Sequence, residues 1–274
     1  MEITTGIFAA IVVITFLCEY MNVSLGMGYG STLTPLLLVA GFPPLKVVPA
    51  VLLGDLVGGI VGGISHHRFG NITLDFRRDH ELLKRRLRGF GYIPASLDSK
   101  VVFMLAACGS VGAVVAVFFA VSISKLVLET YIGVMILAIG LILFIRRNHQ
   151  LTFSWRSLLI VGLVSAFNKG ASGGGYGPLV TGGQIISGRD AKSSIGSTTL
   201  AEAIICIIAF LGYLFMKVDM DWTLAIAISI GSVVASPLAA FTTKKIATRN
   251  LKLIIAVLVI TLGIATLLRT YLFS

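Results

Sequence analysis

Six side chains able to carry charge or bind strongly through hydrogen bonds stand in otherwise apolar stretches: Glu19, Asn22, Asp55, Asn168, Lys169 and Glu202. Around them are Ser31, Thr32, Thr34, Ser172, Thr181, Ser197, Thr198 and Thr199. An ionised group at membrane depth costs at least about 2.5–3.5 kcal/mol, so such groups face a bundle interior or an aqueous path. Two chemistries suit the set. Lys169 immediately precedes Gly170-Ala171-Ser172-Gly173-Gly174-Gly175. Free backbone N–H groups there, and the start of the next helix, would make an anion-seeking nest beside the ammonium. On this reading Lys169, Asn22, Asn168, Gly28, Gly30, Ser31, Thr32, Ser172, Gly174, Gly175, Gly177 and Thr198 line a site for a small anion. Asp55, Glu202 and Glu19 are the candidates for proton coupling or gating. A structural reading stands beside each. Lys169 then only neutralises Glu202 or Glu19, the carboxylates accept backbone hydrogen bonds at a break, Glu19 marks a helix end, and the hydroxyls bond carbonyls one turn back.

The elements that position these residues are duplicated. Gly28-Tyr29-Gly30 returns as Gly175-Tyr176-Gly177, Thr34 as Thr181, Gly41 as Gly188 and Leu53 as Leu200, all at one ungapped offset of 147 residues. At that offset Asp55 lands on Glu202, and Asn22 on Lys169. Apolar segments fall at 3–25, 32–40, 45–65, 101–121, 125–145, 156–167, 178–187, 193–216, 222–243 and 251–273. Segments 32–40, 156–167 and 178–187 are too short to span a bilayer as single helices, and 3–25 is expected to be interrupted after Glu19. They pair around glycine-rich breaks at 22–31 and 168–177, each pair going in and coming back. Non-helical backbone at that depth is tolerated only against protein or a water-filled cavity.

Composition sets the solvent. The 274 residues are 56% hydrophobic and 12% charged, with a mean hydropathy of +0.96. Soluble domains carry about 25% charged residues. The formal charge of +10 does not point to nucleic acid, because the basic residues cluster at the ends of apolar runs. The connections 66–100, 146–156, 189–192 and 244–252 hold 17 of the 22 Lys and Arg. Basic loops mark the cytoplasmic side, which leaves both termini extracytoplasmic. Three full spans (45–65, 101–121 and 125–145) separate the two breaks, and an odd number turns the second copy upside down. The expected fold is therefore an all-α polytopic bundle of two inverted repeats, 1–150 and 151–274. Each repeat holds a glycine-broken helix pair and three full spans, the arrangement that supports alternating access.

Smaller signals are mostly structural. Gly58-Gly59-Ile60-Val61-Gly62-Gly63 puts small residues four apart on one helix face, for close packing. Cys18, Cys108 and Cys206 lie singly in apolar runs and read as buried small hydrophobes. The basic stretch 77–100 is a solvated cytoplasmic loop, with an amphipathic surface helix as the second reading.

The glycine motifs resemble those of the sulfite exporter TauE/SafE family. They read Gly26-Met27-Gly28-Tyr29-Gly30-Ser31-Thr32-Leu33-Thr34-Pro35 and Gly173-Gly174-Gly175-Tyr176-Gly177-Pro178-Leu179-Val180-Thr181. The turns Gly41-Phe42-Pro43-Pro44-Leu45-Lys46 and Ser187-Gly188-Arg189-Asp190-Ala191-Lys192 follow them. The polar ends Phe69–Phe76 and Phe215–Trp222 also match the family pattern. Met27 and Tyr29 stand where the family often has glycine. The resemblance implies a plasma-membrane permease for a small sulfur-containing anion such as sulfite or an organosulfonate, commonly moved outward. Its partners would be the anion, the bilayer and protons, with no cofactor and with room for a homo-oligomer.

An intramembrane serine protease is the competing enzyme reading, from Gly170-Ala171-Ser172-Gly173. That chemistry needs a histidine base on a later helix, yet His66, His67, His80 and His149 all precede Ser172. Adjacent His66 and His67 cannot share a helix face to hold a metal. An anion channel or an uptake permease would use the same broken helices.

Overall fold

The computed structural model describes residues 3–77, 92–119 and 154–245, with scattered positions between 126 and 145 and between 253 and 271. Among the described residues the elements are α1 (Thr5–Leu25), α2 (Tyr29–Val39), α3 (Pro44–Arg68), β1 (Phe76–Arg77), β2 (Ile93–Pro94), α4 (Leu97–Phe119), α5 (Trp155–Ser172), α6 (Tyr176–Ile186), α7 (Ala191–Phe215) and α8 (Trp222–Lys245). Among the described residues, five helices are long and apolar enough to cross a membrane: Thr5–Leu25, Leu45–Arg68, Leu97–Phe118, Ala191–Phe215 and Trp222–Lys245. Their outer faces show Leu17, Phe103, Phe118, Phe215 and Leu238, an apolar surface that only lipid solvates. The chain is an all-α, multi-pass membrane protein. The expected spans at 125–145 and 251–273, and the surface-helix reading of the basic stretch, fall mainly outside the described residues.

Three expectations about the breaks are corrected. Helix α1 is not interrupted after Glu19; it runs 21 residues to Leu25, about 31 Å. Nothing in Tyr20–Leu25 breaks a helix, and the first residue that does is Gly26. Its left-handed φ of 76° and its N–H to the Asn22 carbonyl (2.6 Å) cap the helix. Segment 156–167 is likewise part of a longer helix, α5, which continues through Asn168 and Lys169 to Ser172 and is capped the same way by Gly173. The breaks are therefore Gly26–Gly28 and Gly173–Gly175, and Asn22 and Lys169 sit on final helical turns. The short β1–β2 pairing, Phe76 opposite Pro94 and Arg77 opposite Ile93, adds two antiparallel strands that helical periodicity did not foresee.

The 147-residue offset governs backbone as well as sequence. Helices α2 and α3 start and stop 147 residues before α6 and α7. Gly26, Gly28 and Gly41 have positive φ, as do Gly173, Gly175 and Gly188. Lys217, among the described residues the one non-glycine with positive φ, stands at the same offset from Gly70. Packing follows suit: α8 lies on α1 and α3, α4 lies on α5 and α7, and α3 crosses α7 between them. The glycine run of α3 makes this crossing close, as its spacing suggested. A Cβ on Gly59 would stand 2.9 Å from the Ala203 Cβ, and one on Gly63 would stand 2.8 Å from a Leu200 methyl.

The two breaks pass across each other backbone to backbone. A Cβ on Gly30 would overlap the Gly173 carbonyl, and one on Gly177 would stand 2.5 Å from the Gly26 carbonyl oxygen. No side chain there can move aside. Gly30→Ala is expected to destabilise the protein by about 3 kcal/mol, at the top of the usual overpacking range. Gly6→Ala, with nothing within 4 Å, is expected to be neutral. Thermal unfolding of both variants in detergent checks this; equal midpoints would sink the close-crossing account.

Candidate functional site

Five helices bring side chains to one buried centre. Lys169 from α5 is fully buried and donates to Asp55 Oδ2 of α3 and, at 2.8 Å, to Glu202 Oε1 of α7. Asn22 from α1 donates to Asp55 Oδ1 at 3.3 Å. The Tyr29 ring of α2 lies 5.8 Å from the ammonium, within cation–π reach. The Cys206 thiol faces Asp55 Oδ2 at 3.8 Å. The two carboxylates matched by the offset thus hold one ammonium between them. Removing either partner of such a buried pair leaves an uncompensated charge, a loss of about 3–5 kcal/mol.

Glu19 is not a helix end. It is buried in the body of α1, and its Oε1 accepts a hydrogen bond from Ser236 of α8 at 3.3 Å. It joins neither ion pair of Lys169, so of the two partners foreseen for that lysine only Glu202 is used, with Asp55 beside it. Asn168 is also fully buried, and neither its side-chain nitrogen nor its oxygen has a hydrogen-bond partner.

The glycine-break amides do not stand free as expected. The Gly175 N–H donates to Ser31 Oγ at 3.0 Å and the Gly174 N–H to Ser172 Oγ at 3.3 Å. Ser172 Oγ in turn donates to the Asn168 carbonyl at 2.9 Å. Buried amides must find acceptors, and here neighbouring hydroxyls supply them. Thr181 Oγ1 donates to the Gly26 carbonyl at 2.8 Å. Its offset partner Thr34 lies beside Gly173 with its hydroxyl unpartnered, as is that of Thr32. Gly28 has the left-handed backbone of the first break, and Gly30 and Gly177 form the backbone crossing described above.

Thr198 belongs to a different group. Gln184 of α6 donates to Thr198 Oγ1 at 2.8 Å, and Arg189 donates to Gln184 Oε1, to Ser197 Oγ at 3.0 Å and to Asp98 at the start of α4. Asp98 also accepts the Thr73 N–H at 2.8 Å. Sequence reading counted Arg189 only as a topology signal, whereas the structure buries it. Burial holds its guanidinium below the usual arginine value, and the Asp98 and Asp190 carboxylates oppose that fall. An arginine stays charged regardless, so the partners are required.

Also missed were Tyr29, whose hydroxyl pairs with Ser232 at 2.9 Å, and His66, whose Nε2–H donates to the Val23 carbonyl at 2.8 Å. Tyr213, at the 147-residue offset from His66, donates in the same way to the Gly170 carbonyl at 3.1 Å. The repeated Gly-Tyr-Gly was the available signal for Tyr29. His66 read as a loop edge because its partner lies 43 residues away on α1.

The family profile described as sulfite exporter TauE/SafE matches residues 89–266 of the chain. A relative in Bacillus subtilis (strain 168), "Probable membrane transporter protein YtnM", is 25% identical over 272 residues, covering 94% of this chain and 82% of that protein. No solved structure matches the chain. Broken helices crossing at a buried charge cluster suit transport, and Ser172 lends its proton to a helix carbonyl in place of a histidine base. With these matches, the chain belongs to the sulfite exporter TauE/SafE family and is a membrane transporter, not an enzyme.

Proposed function

We propose that this protein is a secondary transporter that exports a small sulfur-containing anion, sulfite or an organosulfonate, by alternating access between two inverted repeats. One observation carries the reading: Lys169 is buried at the crossing of the broken helices, between the offset-matched carboxylates Asp55 and Glu202. An anion reaches this ammonium only when a carboxylate gives it up, and a proton taken by Asp55 or Glu202 releases it. Proton and anion then load together and leave together, so accumulation of the anion in the cell drives its export. Asn22, Asn168, the Ser31–Thr34 hydroxyls and Ser172 surround the anion once the carboxylates have turned away.

Two corner ion pairs support alternation. Arg189, between α6 and α7, meets Asp98 at the start of α4, while Lys46, at the start of α3, meets Asp219 before α8 at 3.3 Å. The α6–α7 corner occupies the position of the α2–α3 corner at the offset, so the two pairs tie down equivalent elements although their residues do not match at the offset. Helices α7 and α8 are each long enough to span, which sets the two pairs at opposite faces. The Arg189 pair is buried and the Lys46 pair exposed, its Asp219 side chain at 88%, as in a carrier shut at the Arg189 face. We assign that face to the cytoplasm from its basic loops.

The test is flux in proteoliposomes holding the purified protein, with sulfite and a permanently ionised organosulfonate as probes, and sulfate and chloride as competitors. Acid outside is expected to accelerate saturable entry of both probes. Flux indifferent to the gradient would remove the proton linkage, flux far above carrier rates would identify a channel, and no flux of either probe would overturn the substrate class.

A further inference from the structure

Among the described residues, one buried carboxylate at the centre has no ion-pair partner. Glu19, Asp55 and Glu202 face a single ammonium, and Lys169 is paired with the latter two. Around Glu19, oxygen atoms outnumber the protons available to join them. Its Oε1 meets Ser236 Oγ at 3.3 Å, but that hydroxyl also has the Gly58 carbonyl at 2.8 Å and the Ser232 carbonyl at 2.7 Å. One hydroxyl proton faces three acceptors.

Glu19 Oε2 has no partner, and one helical turn back the Thr15 hydroxyl has none either; both residues are fully buried. Thr15 faces α8, since a Cβ on Gly231 would stand 2.9 Å from the Thr15 Cβ. On the other side the missing Cβ of Gly58 leaves room for Glu19 Oε1, which it would otherwise approach to 2.5 Å. The Ser232 hydroxyl is joined to Tyr29 at 2.9 Å. With Tyr29, the residues Asp55, Glu202, Lys169, Cys18 and Cys206 make up the charged and titratable surroundings.

An oxygen-rich, donor-poor lining around one carboxylate without an ion-pair partner fits a hard cation of single charge. A divalent ion would draw on more carboxylate ligands than Glu19 alone. We propose that Glu19, Thr15, Ser232, Ser236 and the Gly58 carbonyl form a sodium site between α1, α3 and α8, separate from the ion-paired centre at Lys169. Binding there does not depend on the transport reading above.

Binding is tested with no sulfite or organosulfonate present and with chloride held constant. Purified protein in sodium-free buffer is titrated with sodium chloride at constant ionic strength, with potassium and choline as controls, while its unfolding midpoint is followed. A ligand that binds only the folded state raises the midpoint in a saturable way. Sodium is expected to do so by several degrees, and potassium and choline are not. Glu19→Gln should abolish the sodium shift. Thr15→Val, an isosteric change with little effect on packing, should move its half-point at least tenfold higher. No sodium-specific shift in the unaltered protein, or one that Thr15→Val leaves in place, overturns the site. Stabilisation by acid in place of sodium, lost in Glu19→Gln, makes Glu19 a proton site and equally overturns it. Failure of sulfite flux would touch none of these outcomes.

Discussion

Lys169→Gln is expected to abolish saturable anion flux and to destabilise the protein by about 3–5 kcal/mol, the usual loss when a buried ion pair is left without one partner. The loss of stability alone would not separate a binding role from a structural one, because Asp55 and Glu202 would then face each other uncompensated. The triple variant Lys169→Gln, Asp55→Asn, Glu202→Gln makes the separation. It removes one positive and two negative charges from the same buried volume and keeps side chains of similar size. Replacing an entire buried ionic group is often neutral or stabilising, so its unfolding midpoint should return toward that of the unaltered protein. Its flux should remain absent, because no ammonium is left for the anion. A triple variant that transports sulfite or an organosulfonate at the normal rate would show that Lys169 serves only to neutralise its neighbours.

Asp98→Asn is expected to open the face closed by Arg189. The carboxylate binds the guanidinium and holds the Thr73 backbone at once. Losing its charge leaves Arg189 with Gln184 and Ser197 and weakens the tie between the α6–α7 corner and α4. A carrier with two states a few kcal/mol apart responds by shifting population. A bias of about 1.4 kcal/mol is tenfold in that equilibrium, and a buried charge pair is worth at least that much. Ser194 reports the change, since it is fully buried on α7 beside this network and its hydroxyl bonds only the Asp190 carbonyl one turn back. In a Ser194→Cys background lacking native cysteines, a thiol reagent that cannot cross the bilayer should label the Asp98→Asn form at least tenfold faster. Lys46→Gln, at the exposed pair with Asp219, should leave the labelling rate unchanged. Equal rates in all three forms would mean that the Arg189 pair only ties the fold together.

Much of this molecule is legible in local chemistry. Hydropathy marks Leu45–Arg68, Leu97–Phe118, Ala191–Phe215 and Trp222–Lys245 as span-length helices, because a helix in lipid needs about 20 apolar residues regardless of what it packs against. The half-length helices α2 and α6 were visible for the same reason: glycines at their starts and turn residues at their ends bound about ten apolar residues. The 147-residue offset was visible because both copies need the same turns, and left-handed backbone at Gly26 and Gly173 calls for the same residue type. A polar residue is no helix stop in this chain: α1 runs through Glu19 and α5 through Asn168 and Lys169. Glu19, Asn22 and Lys169 sit within helical backbone while their side chains meet partners on other helices, information that no local window contains.

Partnership was decided by tertiary structure alone. Asp55 is 114 residues from Lys169, and Arg189 is 91 residues from Asp98. Which carboxylate an ammonium meets depends on how each helix is rotated and how closely its glycines let it approach. The sequence by itself determined a lipid-solvated bundle of duplicated broken helices with a few buried charges, since composition and backbone preference act residue by residue. Crossing α3 over α7 at their small residues placed Lys169 between Asp55 and Glu202, set Glu19 apart with α8, and buried Arg189. Charge pairing in a low-dielectric interior is settled by ångström-scale geometry, which exists only once the helices have packed.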